Sequence, residues 1–351
     1  MTTEQRPKVG IRHLVFAVGQ GPTNGRYLTR EEAREAMGAM LDGVATPAQV
    51  GALLVLQRYR SEAPEELLGY IDAVRARARL LHPKVEGLLD VGSPYDGRLK
   101  HVIVSPAASI VAAAAGVPVL MHGEHDVGPK AGLPIGEVLR ALGVNTDLEP
   151  EAIERGIEAC GLGYARQARV VPSLHTLLPI RRELGLRTPV HAIEKIYDLG
   201  NAPYHLLGVA HMPYLKHLAP TIAGMPWLRT MVVQGMEGHE DATTSRGTRV
   251  IEIDASAGQT EMRLEPGDFG LQPATDADIA PGDAERSARM TLAVLDGSAT
   301  PPQRDLVLLN AALRIELTGR AADLPSAIER ARASLESGEA QRKLDAWRAV
   351  G

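Results

Sequence analysis

Residues 90–97 read DVGSPYDG and lie between the apolar pair Leu88–Leu89 and the run HVIVSPAASIVAAAAG. A strand, a tight turn with glycines and an Ala-rich helix, in that order, constrain this chain more than any other feature. Strands that alternate with helices in this way build an α/β sheet. The same layout aims backbone N–H groups and a helix N-terminus at one point, where an anion can sit. Here the turn carries Pro94 and Tyr95. Proline has no N–H to donate, and Tyr95 puts a bulky side chain where a phosphate would approach the backbone. The frame is that of a phosphate site whose lining has changed.

A chain of 351 residues has room for two domains, or for one large domain with an appendage. Its 44% hydrophobic and 23% charged residues are those of a soluble globular protein. Aromatics make up only 3%, so Ala, Leu, Val and Ile must build the core. The net charge of −5 excludes a surface that is basic throughout, but not a local basic groove. Cys160 is the one cysteine, which rules out an intrachain disulfide. With no secretory signal, the expected location is cytoplasmic. Cys160 itself reads as a small buried hydrophobe. The longest apolar run, Ile110–Met121, contains Gly116 and Pro118 and is shorter than the ~20 residues a membrane span needs.

Three helix starts lie near the N-terminus. Thr29-Arg-Glu-Glu32 is a capping box, Thr46-Pro47-Ala48-Gln49 combines an N-cap, a proline and a Gln three residues on, and Pro64-Glu65-Glu66 opens with acidic residues. Residues 28–80 therefore read as a small helical bundle. Beyond them, strand-like runs at Val117–Met121, Leu206–Val209, Met231–Val233 and Arg249–Ile253 alternate with helical stretches. LDGVATPAQ (41–49) returns as LDGSATPPQ (295–303). Because the flanks differ, both read as the same helix–Gly–Thr-Pro–helix connector, not as a repeat.

The order of these pieces resembles the anthranilate phosphoribosyltransferases of glycosyltransferase family 3. The strings that carry the likeness include the N-terminal helical segment from Leu28, RRELGLRT (181–188), VLDGSATPPQRDLVLLNAA (294–312) and AIERARASLESGEAQRKL (327–344). The resemblance implies a small N-terminal all-helical domain, residues 1–82, completed by roughly 165–188. Beside it would stand a larger α/β domain, 83–164 and 189–351, with a central, mainly parallel sheet. The family grips phosphoribosyl pyrophosphate with GTGGDG, NIST and KHGN motifs and holds magnesium with an Asp-Glu pair. Here the motifs become Gly92-Ser93-Pro94-Tyr95-Asp96-Gly97, Val102-Ile103-Val104-Ser105 and Met121-His122-Gly123-Glu124, and the acidic pair becomes Glu240-Asp241. Two glycines, the Asn and the Lys are lost, and Glu124 brings a carboxylate to a pyrophosphate site. These departures resemble a side branch with a Ser-(Pro)-Tyr-x-Gly loop, whose members lack tryptophan-pathway activity and in some cases bind nucleic acid. GVPVLMHG (116–123) and RTPVHAIEKI (187–196) also match that branch.

By this resemblance the donor side comprises Gly92, Ser93, Asp96, Gly97, Ser105, His122 and Gly123. Mg²⁺ would sit on Glu240 and Asp241, although a solvated acidic turn is the plain alternative. Arg181 would grip the acceptor's carboxylate. Arg98, Lys100, His101 and Lys130 either replace the lost N–H donors or belong to a solvated loop. His175, His191, His205, His211 and His217 match no zinc spacing and read as pocket or surface residues. The expected function is Mg-dependent transfer of a phosphoribosyl-type group from a phosphorylated sugar donor to a small aromatic or heterocyclic acceptor. The altered loops point away from anthranilate itself, and because all three motifs change together the resemblance implies a site converted to another ligand, one that stacks on Tyr95. The rival expectation is a non-catalytic homodimer that binds nucleic acid through Arg181, Arg182, Arg187 and Lys195 on a basic helix face. No membrane partner is expected.

Overall fold

The structure, a computed structural model, describes residues 10–351. Its first part is helical, with helices Arg12–Gly19, Arg30–Leu41, Pro47–Arg60 and Pro64–Arg75. Their starts follow from local chemistry. Thr29 Oγ1 accepts the Glu32 N–H at 3.2 Å, while Glu32 accepts the Thr29 N–H at 3.0 Å. Thr46 and Gln49 cap the third helix in the same reciprocal way. At Ala63, which has no capping oxygen, Glu66 alone accepts the N–H at 2.8 Å. Each cap satisfies donors that a helix start would otherwise leave unpaired.

Among the described residues, seven strands form one sheet: β1 (Leu89–Gly92), β2 (Val119–Gly123), β3 (Leu162–Arg166), β4 (Tyr204–Gly208), β5 (Arg229–Val233), β6 (Thr248–Asp254) and β7 (Gly258–Leu264). Their order is β3-β2-β1-β4-β5-β6-β7. Pairings from β3 to β5 are parallel, and β6 and β7 are antiparallel. The four strand-like runs of the sequence fall on β2, β4, β5 and β6. β7 escapes a hydrophobic reading because GQTEMRL is polar and exposed up to Leu264. β3 is a short segment directly after the glycine that ends helix Pro150–Cys160.

Both faces of the parallel strands β1–β5 are covered, as a parallel sheet requires. Leu89, Met121, Leu206 and Val250 face the helices Ser105–Ala114 and Pro301–Leu317, while Leu120, Leu207, Val232 and Ile251 share a second core with the helical part. Helix Leu178–Leu184 packs on Pro47–Arg60, and helices Pro189–Ile193 and Met212–Ala223 pack on Pro64–Arg75. The second core therefore runs unbroken from the helices to the sheet. The two echoed connectors share one backbone device, a left-handed glycine between helices, with φ +69° at Gly43 and +81° at Gly297. Among the described residues, no helix is long and apolar enough to cross a membrane.

From β1 the chain runs to β2 on one side and later to β4 on the other. The carboxyl ends of β1 and β4 therefore part, which is where open α/β sheets place ligands.

Candidate functional site

The loops that follow β1, β2, β4 and β5 converge beyond these strand ends. With the segment around helix Pro189–Ile193 they line a cleft that includes Asp96, Arg187, His191, Lys195 and Tyr214. It continues past Arg187 and Glu237 into a second hollow bordered by Lys100, Lys130 and Arg246.

The glycines expected to admit a donor admit the protein's own atoms. A Cβ on Gly92 would lie 2.1 Å from the Lys195 carbonyl oxygen, and one on Gly97, where φ is +72°, 2.4 Å from the Gly132 backbone. At Gly123 the Tyr164 hydroxyl stands 2.9 Å from the same position. Tyr95 borders the cleft but offers little of its ring as a stacking platform, since it is only 4% exposed. Its hydroxyl meets Nδ1 of His122 at 2.8 Å and also bonds the Tyr197 hydroxyl. Turning inward satisfies that hydroxyl in a place where a flat ring on the cleft wall would leave it to water.

His122 thus sits behind Tyr95, inside a buried chain. Its Nε2 lies 2.9 Å from Asp90 Oδ1, and Asp90 Oδ2 is 3.8 Å from His205, which stacks on Trp227 at 4.0 Å between ring centroids. Burial works to raise the Asp90 pKa, but the neighbouring imidazoles outweigh it and hold the carboxyl below its ordinary value. Burial pushes His205 down to about 4, which leaves that ring neutral near pH 7.

The acidic pair is equally enclosed. Asp241 Oδ2 accepts the N–H groups of Val104 at 3.2 Å and Ser105 at 3.1 Å, together with Arg98 Nη2. The anion position at the start of helix Ser105–Ala114 is therefore filled by the chain's own carboxylate. Arg314 donates to Ser105 Oγ at 2.8 Å and lies 3.8 Å from Asp241 Oδ1, while Glu240 accepts from Ser93 Oγ at 2.6 Å. Every one of these side chains is buried.

Glu240 Oε2 and Asp241 Oδ1 accept no hydrogen bond, as would suit a cation. Two carboxylates against two guanidinium groups are already balanced, however, and a divalent ion here would face the repulsion of both arginines at low dielectric. Magnesium also favours an oxygen shell that keeps several waters. Among the described residues, no group of three or more His, Cys, Asp or Glu side chains suits a metal. Glu240 and Asp241, expected as ligands, do not fit Mg²⁺. Motif reading misses Arg314, although a lone arginine in the apolar run VLLNAALRIEL signals a buried partner.

Arg181 has a partner of its own. Its Nη1 and Nη2 bond Glu194 at 2.6 and 2.7 Å, and Gln167 donates to the same carboxylate at 2.8 Å. Arg182 pairs with Asp126 at 2.7 Å, and Arg187 holds Asp96 through Nε and Nη2 at 2.8 and 2.7 Å. Lys195 is buried, with Nζ donating to the Gly208 carbonyl at 2.9 Å. Burial and the Arg187 charge bring its pKa down to about 8. Arg181, Arg182, Arg187 and Lys195 therefore do not form an exposed basic face, because two are buried and the other two are paired. Glu124 likewise spends its carboxylate internally, on the His125 and Ala168 N–H groups and on Arg166.

Comparison with known proteins gives these sites a context. A glycosyl transferase family helical bundle domain matches residues 22–78, and the a/b domain of that family matches 96–341. The chain is 33% identical over 334 residues to the anthranilate phosphoribosyltransferase of Herpetosiphon aurantiacus, covering 95% of this chain and 97% of that one. To the Thermomicrobium roseum enzyme of the same name it is 35% identical over 340 residues, with 95% of each covered. Among solved structures, the anthranilate phosphoribosyltransferase of Thermus thermophilus superposes with a TM-score of 0.84 at 29% identity, over 97% of this chain and 99% of that one. The Saccharomyces cerevisiae protein in complex with PRPP and Mg shares the fold at 20% identity, with a TM-score of 0.81 over 97% of both chains.

Proposed function

The chain belongs to the glycosyl transferase family whose helical-bundle and a/b domains it carries, and on that premise we propose that it transfers a phosphoribosyl-type group from a phosphorylated sugar donor to an aromatic or heterocyclic nitrogen acceptor that has no carboxylate. The observation that carries this reading is the Arg181–Glu194 pair. An acceptor carboxylate would have to displace Glu194 from a buried bidentate bond and leave it without a cation, and a buried charge stranded in this way costs about 3–5 kcal/mol.

On the donor side, Lys100, Lys130, Arg187 and Arg246 border the cleft and offset a pyrophosphate's charge. Asp96, fixed by Arg187, opposes the positive charge that develops at the anomeric carbon as the leaving group departs. Gly92, Ser93, Gly97, Ser105, His122 and Gly123 act at one remove, by shaping the wall on which Asp96 stands. No step is assigned to magnesium, since Arg98 and Arg314 already neutralise Glu240 and Asp241. A homodimer through the helical part belongs to the same proposal and is favoured by exposed Val44, Val55 and Tyr59. Light scattering at twice the chain mass would support it, and a monomer mass would remove it.

Phosphorus NMR of phosphoribosyl pyrophosphate with a panel of heteroaromatic amines tests the activity. The expected result is pyrophosphate release that requires a carboxylate-free acceptor and falls roughly a hundredfold in Asp96→Asn. Release with anthranilate would overturn the acceptor assignment, and no release with any amine would overturn the activity.

A further inference from the structure

Between the two hollows of the cleft, beside the donor-side Lys100 and Lys130, lies a carboxylate to which the transfer reading assigns no role. Glu237 stands on the loop after β5 with its backbone in the left-handed region, φ +55°. L residues without special cause avoid that region. Its carboxylate is nearly enclosed and collects four donors. The N–H groups of Leu99 and Lys100 reach it at 3.1 and 2.6 Å, His101 Nδ1 at 3.2 Å and Lys130 Nζ at 2.7 Å. Burial works against its charge, yet Lys130 and the two backbone donors hold the carboxyl at about 2. Two successive backbone N–H groups, an imidazole and an ammonium aimed at one pair of oxygens make a cradle for an anion of phosphate geometry. Around it Lys100 and Arg246 enter no ion pair among the described residues, so the field here favours more negative charge than Glu237 alone supplies.

We propose that this cradle, formed by Leu99 N, Lys100 N, His101 and Lys130, is a diphosphate-binding site that Glu237 occupies as an internal stand-in, and that an incoming diphosphate takes over its donors and swings the Glu237 side chain out of the cleft. The exchange replaces one carboxylate by a group with more charge and more acceptor oxygens, on the same donors. It also releases Glu237 from the contacts that hold it in its left-handed conformation. No bond is made or broken. The inference rests on the reading of the cleft as a donor site, and it adds a gate: donor binding includes the cost of displacing Glu237.

Isothermal titration of inorganic pyrophosphate into the full chain tests the gate, with wild type, Glu237→Gln and Glu237→Gln/Lys130→Met compared. The expected result is about tenfold tighter binding to Glu237→Gln than to wild type, a gain lost in the double variant. Glu237→Asn, which tolerates the left-handed backbone, serves as a second variant should the first fail to fold. Equal affinity in wild type and variant, a gain that survives Lys130→Met, or no binding to any form would each overturn the proposal. Phosphoribosyl pyrophosphate titrated alongside separates the two readings. If it binds wild type and Glu237→Gln equally, the gate falls and the donor reading stands. If only inorganic pyrophosphate binds, and more tightly to the variant, the cradle stands without the donor reading.

Discussion

Arg181 and Glu194 face each other through two parallel hydrogen bonds of 2.6 and 2.7 Å, and both side chains are buried. A guanidinium held this way has no fork left to offer a ligand. Arg181→Met should destabilise the protein by about 3–5 kcal/mol in urea denaturation, because it strands a buried carboxylate. Arg181→Met/Glu194→Met should recover much of that loss. For wild type, saturating anthranilate should leave the melting temperature unchanged.

Asp241 joins Arg98 to the first turn of helix Ser105–Ala114 and so acts as a structural anion. Asp241→Ala would leave two buried N–H groups and Arg98 without their acceptor, at a cost of about 3–5 kcal/mol. Chelation followed by added magnesium should move the melting temperature of wild type by no more than about 1 °C, since mass action stabilises only through a ligand that binds.

Tyr95 ties the altered turn to the buried chain of His122 and Asp90. Tyr95→Phe keeps the ring and removes the hydroxyl, leaving His122 Nδ1 without its partner. A loss of about 1–3 kcal/mol is expected in denaturant melts, with no change in inorganic pyrophosphate affinity.

Glu237 gives a pH signature. Its folded pKa of about 2 lies below the ordinary 4.5, so its contribution is full above about pH 4.5 and fades as the pH falls toward 2. The stability gap between wild type and Glu237→Gln, measured in urea, should be widest above pH 5 and close steadily below 4. A gap that does not change with pH would show that the carboxylate charge plays no part.

Much of this architecture could be read in the sequence because it rests on local chemistry. The Thr29 and Thr46 caps, the apolar runs of β2, β4, β5 and β6, and the strand–turn–helix at residues 88–115 each announce themselves within a few positions. The pairings at the site do not. Glu194 meets Arg181 from thirteen residues away, and Asp241 meets Arg98 from 143 residues away in the chain. Nothing local marks Glu194 or Glu237 as a carboxylate that fills an anion site. Pro94 and Tyr95 do mark the turn as altered, but the direction of Tyr95, inward to His122, depends on packing that the turn alone does not fix.

Titration calorimetry of phosphoribosyl pyrophosphate with the chelator-treated chain tests the central claim most directly. The account predicts binding without magnesium, with an affinity that changes by no more than about twofold when magnesium is restored. No heat of binding at millimolar donor, or binding that appears only with magnesium, would contradict it.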